Sequence, residues 1–173
     1  MAGKQTDAYA NIAYLEALES AANTLTWTRL QLASNLMSEK AALIIHRADI
    51  QLDPNGTALN GANDFTSMCI AVSDRITDIR DLSQPEILLG LWLSRIEYGA
   101  AASGILTERP KVLDFTTLPG GGIIVPADNL YIGIESGGAA AALSAKCRLY
   151  YTVKPLKTEE YWDLIEARRV MTT

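Results

Sequence analysis

The stretch "LSAKCRLYYTVKP", Leu143 to Pro155, alternates without a break. Leu143, Ala145, Cys147, Leu149, Tyr151 and Val153 fall on one side; Lys146, Arg148, Tyr150, Thr152 and Lys154 fall on the other. A period of two over this length is the mark of a β-strand with one face in a core and one face wet or in contact with another subunit.

Working outward, the preceding "LPGGGIIVPADNLYIGIESGG", Leu118 to Gly138, sets three glycines before an apolar run that ends at Pro126. A phosphate-binding loop requires a helix and a Lys-Ser or Lys-Thr pair after its glycines. Here β-branched "IIVP" follows, so the triplet is expected to be a sheet corner, with Leu130, Ile132 and Ile134 returning to the core. "KVLDFTTL" before it reads as a strand with Val112 and Phe115 as core candidates.

Further upstream the period stays near two. "TLTWTRLQLAS", from Thr24, changes phase and suggests a strand with a bulge. "KAALIIHRADIQLD" places Ala42, Ile44, His46, Ala48, Ile50 and Leu52 on one face and stops at the turn formers "DPNG", Asp53 to Gly56. "FTSMCIAVS", from Phe65, is a strand buried on at least one face. "PEILLGLWLSRIEYGA", from Pro85, fits a helix or a strand, and Gly90 together with its β surroundings favours the strand.

The two ends read as helices. In "DAYANIAYLEALESAA", Ile12, Leu15, Leu18 and Ala22 recur at spacings of three and four behind Asp7 as N-cap. At the other end Thr158 is the expected N-cap, Glu159 and Glu160 occupy the first turn and Arg168 and Arg169 the last, with Trp162, Leu164 and Ile165 as docking anchors. The expected fold is therefore all-β: an antiparallel β-sandwich of about eight strands with short N- and C-terminal α-helices. The expected organisation is a helical arm over 1–23, a jelly-roll domain over 24–156 and a helical tail over 157–173.

Candidate chemistry is sparse. His46 is the single histidine and lies in an apolar strand without a G-x-S-x-G elbow to serve, so a structural role is expected. Cys69 and Cys147 sit in apolar stretches and read as buried free thiols. Asp74, Asp78 and Asp81 alternate with Arg75 and Arg80 as a solvated, self-neutralised loop. No catalytic, metal or cofactor site is expected. A net charge of −5 argues against a surface that grips nucleic acid throughout, and Lys4 is the one cation before Arg29. The start shows no secretory pattern and no segment has the apolar length of a membrane span, so cytoplasmic synthesis is expected.

Residues 111 to 169 resemble a viral capsid protein of the single jelly-roll kind, as found in tailless icosahedral viruses. The likeness is carried by "VLDFTTLPGGGIIVPADNLYIGIES", the small-residue loop "SGGAAAALSA", and "KCRLYYTVKPLKTEEYWDLIEARR". It implies self-assembly into an icosahedral shell, with other capsid proteins or an internal membrane as further partners and only weak or indirect contact with nucleic acid. Interface residues expected on this basis are Tyr14, Tyr150, Trp162, Ile165, Arg168 and Arg169. Alternatives are a non-catalytic ligand- or carbohydrate-binding sandwich, which would show an exposed aromatic platform, and a phage accessory or tail protein.

Overall fold

The alternation at Leu143–Pro155 is realised as the longest strand but one, Ser144–Pro155, at the centre of a five-stranded antiparallel sheet. A computed structural model describes residues 11–30, 41–53, 64–81, 83–94, 111–126 and 130–170. Its strands are β1 (Asn11–Leu18), β2 (Thr26–Arg29), β3 (Ala41–Asp53), β4 (Phe65–Ala71), β5 (Ile87–Ser94), β6 (Lys111–Asp114), β7 (Ile123–Pro126), β8 (Tyr131–Gly137) and β9 (Ser144–Pro155). The helix α1 (Thr158–Val170) follows. One sheet runs β1-β9-β3-β6, with β7 also on β3; the other runs β2-β8-β4-β5. The "DPNG" turn lies outside the described residues beyond Asp53.

β6 and β7 pair with the same strand, in the same direction and one after the other: Lys111–Asp114 against Ile50–Arg47, then Ile123–Pro126 against Ile45–Ala42. They are two halves of one interrupted strand. Counted so, eight strands pair first with last, second with seventh, third with sixth and fourth with fifth. That is a long antiparallel hairpin rolled on itself, the winding of a jelly roll.

The core lies between the sheets. Leu43, Ile45, Ile50 and Leu52 of β3 and Leu149 of β9 face Met68 and Ile70 of β4 and Ile132 and Ile134 of β8, all buried. A smaller cluster covers the outer side of the second sheet: Ile76 and Ile79, from the loop after β4, lie with Cys69, Ala71, Trp27 and Ile87. The acidic and basic residues of that loop stay in solvent, and Arg80 pairs with Asp78 at 3.2 Å.

Three expectations need correction. Asn11–Leu18 is a strand, not a helix, paired along its whole length with β9. Ala13, Leu15 and Ala17 alternate inward, and the partner strand outweighs the helix propensity of alanine, leucine and glutamate. The jelly roll thus includes residues assigned to the arm. In β3 the inward face changes phase: Leu43 and Ile45 point to the core before His46, and Ala48, Ile50 and Leu52 after it. His46 is an extra residue in the ladder, since Ile45 pairs Tyr151 and Arg47 pairs Tyr150. In β6 it is Leu113 that packs on the core, while Val112 is exposed; Phe115 is partly buried against the core as expected.

A hydrogen-bonded seam joins the sheets at one end. The carboxylate of Glu19, 2% exposed, accepts from Ser136 N–H (2.6 Å), Ser136 Oγ–H (2.9 Å) and Leu143 N–H (2.8 Å). Asn23, at φ 62°, exchanges two bonds with Ala139: its Oδ1 accepts from the N–H and its Nδ2 donates to the carbonyl. Asparagine tolerates this left-handed backbone better than most residues.

Candidate functional site

The outer face of the β1-β9-β3 sheet gathers the aromatic and charged side chains that sequence separates widely. Register fixes the neighbours. Tyr14 of β1 stands beside Arg148 of β9, which stands beside Asp49 of β3; in the adjoining row Ile12, Tyr150 and Arg47 follow one another. Arg148 lies over the Tyr14 ring at 5.1 Å and Arg47 over the Tyr150 ring at 5.1 Å. Arg47 grips Asp49 through two nitrogens, at 2.7 and 3.1 Å, and the Tyr150 hydroxyl donates to the same carboxylate at 3.3 Å. The hydrogen bonds that Arg47 donates to Asp49 raise its pKa, and the side-chain bond with Tyr150 raises that of Arg148.

On the other side of the first row, between it and the row Glu16, Lys146 and Gln51, runs an open groove of about 530 Å³ lined by Tyr14, Glu16, Asp49, Gln51, Lys146 and Arg148. Tyr14 is 69% exposed and Tyr150 half-buried. The structure therefore brings two of the expected interface residues onto one face. Trp162 is elsewhere: α1 packs near β7, across β3 from β9, and β1 forms the far edge. Ile165, Arg168 and Arg169 are in α1, but their side chains lie outside the described residues.

The helix start differs from expectation by one residue. The Lys157 carbonyl accepts the first helical bond, from Tyr161 N–H at 3.0 Å, while Glu160 reaches back to accept from Lys157 N–H at 2.9 Å. Lys157 is thus the N-cap, and Glu160 supplies half of a capping box. The buried anchor is Tyr161; Trp162 meets it edge-on at 5.9 Å and is 51% exposed, so it does not dock as expected.

The glycine triplet belongs to the interruption between β6 and β7. Gly120 and Gly121 take positive φ, and Gly121 N–H donates to Leu118 carbonyl at 2.8 Å. The chain leaves β3 and returns to it, so the triplet turns within one sheet edge rather than at a corner between sheets. His46 holds this excursion: Nδ1–H donates to Gly121 carbonyl at 2.7 Å, which leaves Nε2 to accept from the Thr152 hydroxyl at 3.0 Å. The histidine is structural, as expected. Cys69 and Cys147 are buried free thiols, each pushed up to about 12 by burial. Among the described residues no group of His, Cys, Asp and Glu is arranged to hold a metal ion, and no helix is long and apolar enough to cross a membrane.

Sequence reasoning missed Arg47 and Asp49, because their role depends on strand register, and Glu19 and Asn23, because the first sat in a supposed helix and the second directly after it. The cluster "ESAANT", polar and small after an apolar run, was the available signal of a turn.

No family model matches the chain, and no curated protein is similar to it. Among solved structures it is similar to the crystal structure of tomato aspermy virus, at 11% identity and a TM-score of 0.46, over 91% of this chain and 85% of that one. The fold assignment rests on the strand pairing above.

Proposed function

We propose that this chain is a structural subunit that assembles with copies of itself into a closed shell, in the role of a viral capsid protein within the virion. The observation that carries it is the surface of the jelly roll: large apolar side chains are exposed at both margins of one sheet, Ile12, Tyr14 and Leu18 on β1 and Trp162 on α1. Large apolar side chains gathered on the outer face of one strand, as Ile12, Tyr14 and Leu18 are, favour a surface that another molecule covers. With Trp162 exposed at the opposite margin, each copy has two separated places at which to contact a neighbour, which a closed shell requires.

In this reading Tyr14, Tyr150, Trp162, Ile165, Arg168 and Arg169 contact neighbouring subunits, and no catalytic step is involved. Other shell proteins or an underlying membrane are compatible partners. Contact with the genome is weak or indirect, in keeping with the net charge of −5. Electron microscopy and light scattering of the purified chain test it. Regular particles are expected, and their loss on deleting residues 158–173, with β-sheet circular dichroism retained. A deletion variant that still forms particles of normal size refutes the role of the tail.

A second reading has one observation in its favour. The groove beside Tyr14 combines an exposed aromatic ring with equal numbers of carboxylates (Glu16, Asp49) and cations (Lys146, Arg148), a lining that suits a neutral sugar. Calorimetric titration of a monomeric chain with neutral oligosaccharides separates the two: saturable heat from a chain that never associates favours the binding module.

A further inference from the structure

An edge strand offers unpaired N–H and C=O groups to any passing strand, and proteins ordinarily blunt such edges by shortness, proline, lysine, a bulge or a covering segment. The margins of these sheets show most of those devices. β2 has four residues; β6 has four with Lys111 and Asp114 among them; β7 has four and closes on Pro126. β5 is longer, and its first residue, Ile87, packs in the cluster with Ile76 and Ile79. Among the described residues β1 shows none of them. Its eight residues, NIAYLEAL, keep unbroken register with β9, contain no proline or lysine and carry one charge, Glu16. Three of the six large apolar side chains exposed among the described residues stand on it.

We propose that β1 pairs edge to edge with β1 of a second copy of this chain, antiparallel, about a two-fold axis at Leu15. The proposal rests on the assembly reading and names its first contact. Its ground is self-complementarity. In a continuous antiparallel sheet, residues directly opposite share a face. An axis at Leu15 sets Ile12 against Leu18 and Tyr14 against Glu16 on the outer face, and Ala13 against Ala17 and Leu15 against its own copy on the inner face. An axis at Tyr14 would oppose Ile12 to Glu16; an axis at Glu16 would oppose carboxylate to carboxylate, which is destabilising. Of these three, the Leu15 axis alone pairs both exposed aliphatic side chains with each other and keeps the two carboxylates apart. It also joins the two cores into a continuous layer and carries the Tyr14–Arg148 stack close to the symmetry axis.

Cysteine cross-linking in the full chain tests this. In antiparallel pairs opposed Cα atoms lie about 4.5–5.5 Å apart, inside the range of about 4.4–6.8 Å that a disulfide spans. The double variant I12C/L18C should form a covalent dimer under mild oxidation, and mass spectrometry should join position 12 of one copy to position 18 of the other. Ile12→Cys alone and Leu18→Cys alone should not, since each would face an aliphatic residue; the native cysteines are buried and add little background. Leu18→Lys, at a solvent-exposed position, should keep the circular dichroism of the parent and lose its association. Single variants that cross-link as readily as the double, or a Leu18→Lys chain that associates like the parent, overturn the pairing. Particles that form without the 12–18 link overturn it and leave the shell reading standing. A linked dimer that never grows beyond two copies supports the pairing and overturns the shell.

Discussion

Replacing Glu19 by alanine should cost about 3–5 kcal/mol of folding stability, a large share of the roughly 5–15 kcal/mol that holds a domain folded. The carboxylate is buried and accepts three hydrogen bonds, at 2.6, 2.9 and 2.8 Å. Hydrogen bonds to a charged group contribute about 1.5–3 kcal/mol each, and a sum of three sets the upper limit. The cost of burying a carboxylate, recovered on its removal, lowers that sum. What remains is dominated by two backbone N–H groups, of Ser136 and Leu143, left without an acceptor; the Ser136 hydroxyl can turn elsewhere. Glu19→Gln separates charge from shape. An amide oxygen in the Oε2 place keeps Leu143 N–H and Ser136 Oγ–H, but its nitrogen then faces Ser136 N–H, donor against donor. It should lose about 2–3 kcal/mol. Urea unfolding followed by circular dichroism, with unchanged slope, measures both; at about 2–4 °C per kcal/mol the melting temperature should fall by roughly 6–20 °C for alanine. A loss under 1 kcal/mol for alanine, or a glutamine variant as stable as the parent, refutes the view that this carboxylate joins the sheets.

Gly122→Ala should destabilise more than Gly120→Ala, because a Cβ at 122 would sit 2.6 Å from the Ile45 carbonyl oxygen whereas one at 120 meets open space and bears only the strain of its φ of 88°; comparable thermal melts would refute this. Cys69 and Cys147, pushed up to about 12 by burial, should react with a thiol reagent at pH 8 at least a hundredfold more slowly in the native protein than in denaturant. Glu135 has one carboxylate oxygen buried without a partner among the described residues, and burial raises its pKa above the ordinary carboxylate value. The folded state therefore holds the proton more tightly than the unfolded state. This group's contribution to stability is fully present below the unfolded pKa and is lost as pH rises through the folded one. Unfolding measured across that window should show the decline in the parent and not in Glu135→Gln.

Reading the sequence worked where a strand obeys one rule along its length. β9 and β4 have uniform alternation or uniform burial, and their core residues follow directly from it. It failed where a second interaction overrides the local pattern. The apolar residues of β1 satisfy both a spacing of three and four and an inward alternation, and only the β9 ladder decides between them. One extra residue, His46, shifted the phase of β3, and nothing in "LIIHRA" announces a bulge. In α1 the neighbouring aromatics Tyr161 and Trp162 are equally suited to an anchor; docking against the sheet selects the first. The cluster on the outer sheet face was half legible. Tyr150, Arg148 and Lys146 share a face by alternation alone, but their partners on β1 and β3 follow only from register.

The interruption between β6 and β7 has a consequence for how the surface can change. Eight residues, 115 to 122, stand opposite the single residue His46, and both ends of the excursion rejoin the same strand. Its anchors are local: Phe115 N–H on the His46 carbonyl at one end, the His46 ring on the Gly121 carbonyl at the other. Strand register on either side is set by β3 and is indifferent to what lies between. Loop entropy rises only slowly with length, by about 0.6 kcal/mol per doubling. The segment around Thr117, Leu118 and Pro119, all exposed, is therefore a port at which foreign peptide can be spliced into the chain without disturbing the core. Every copy of the chain would carry the same graft.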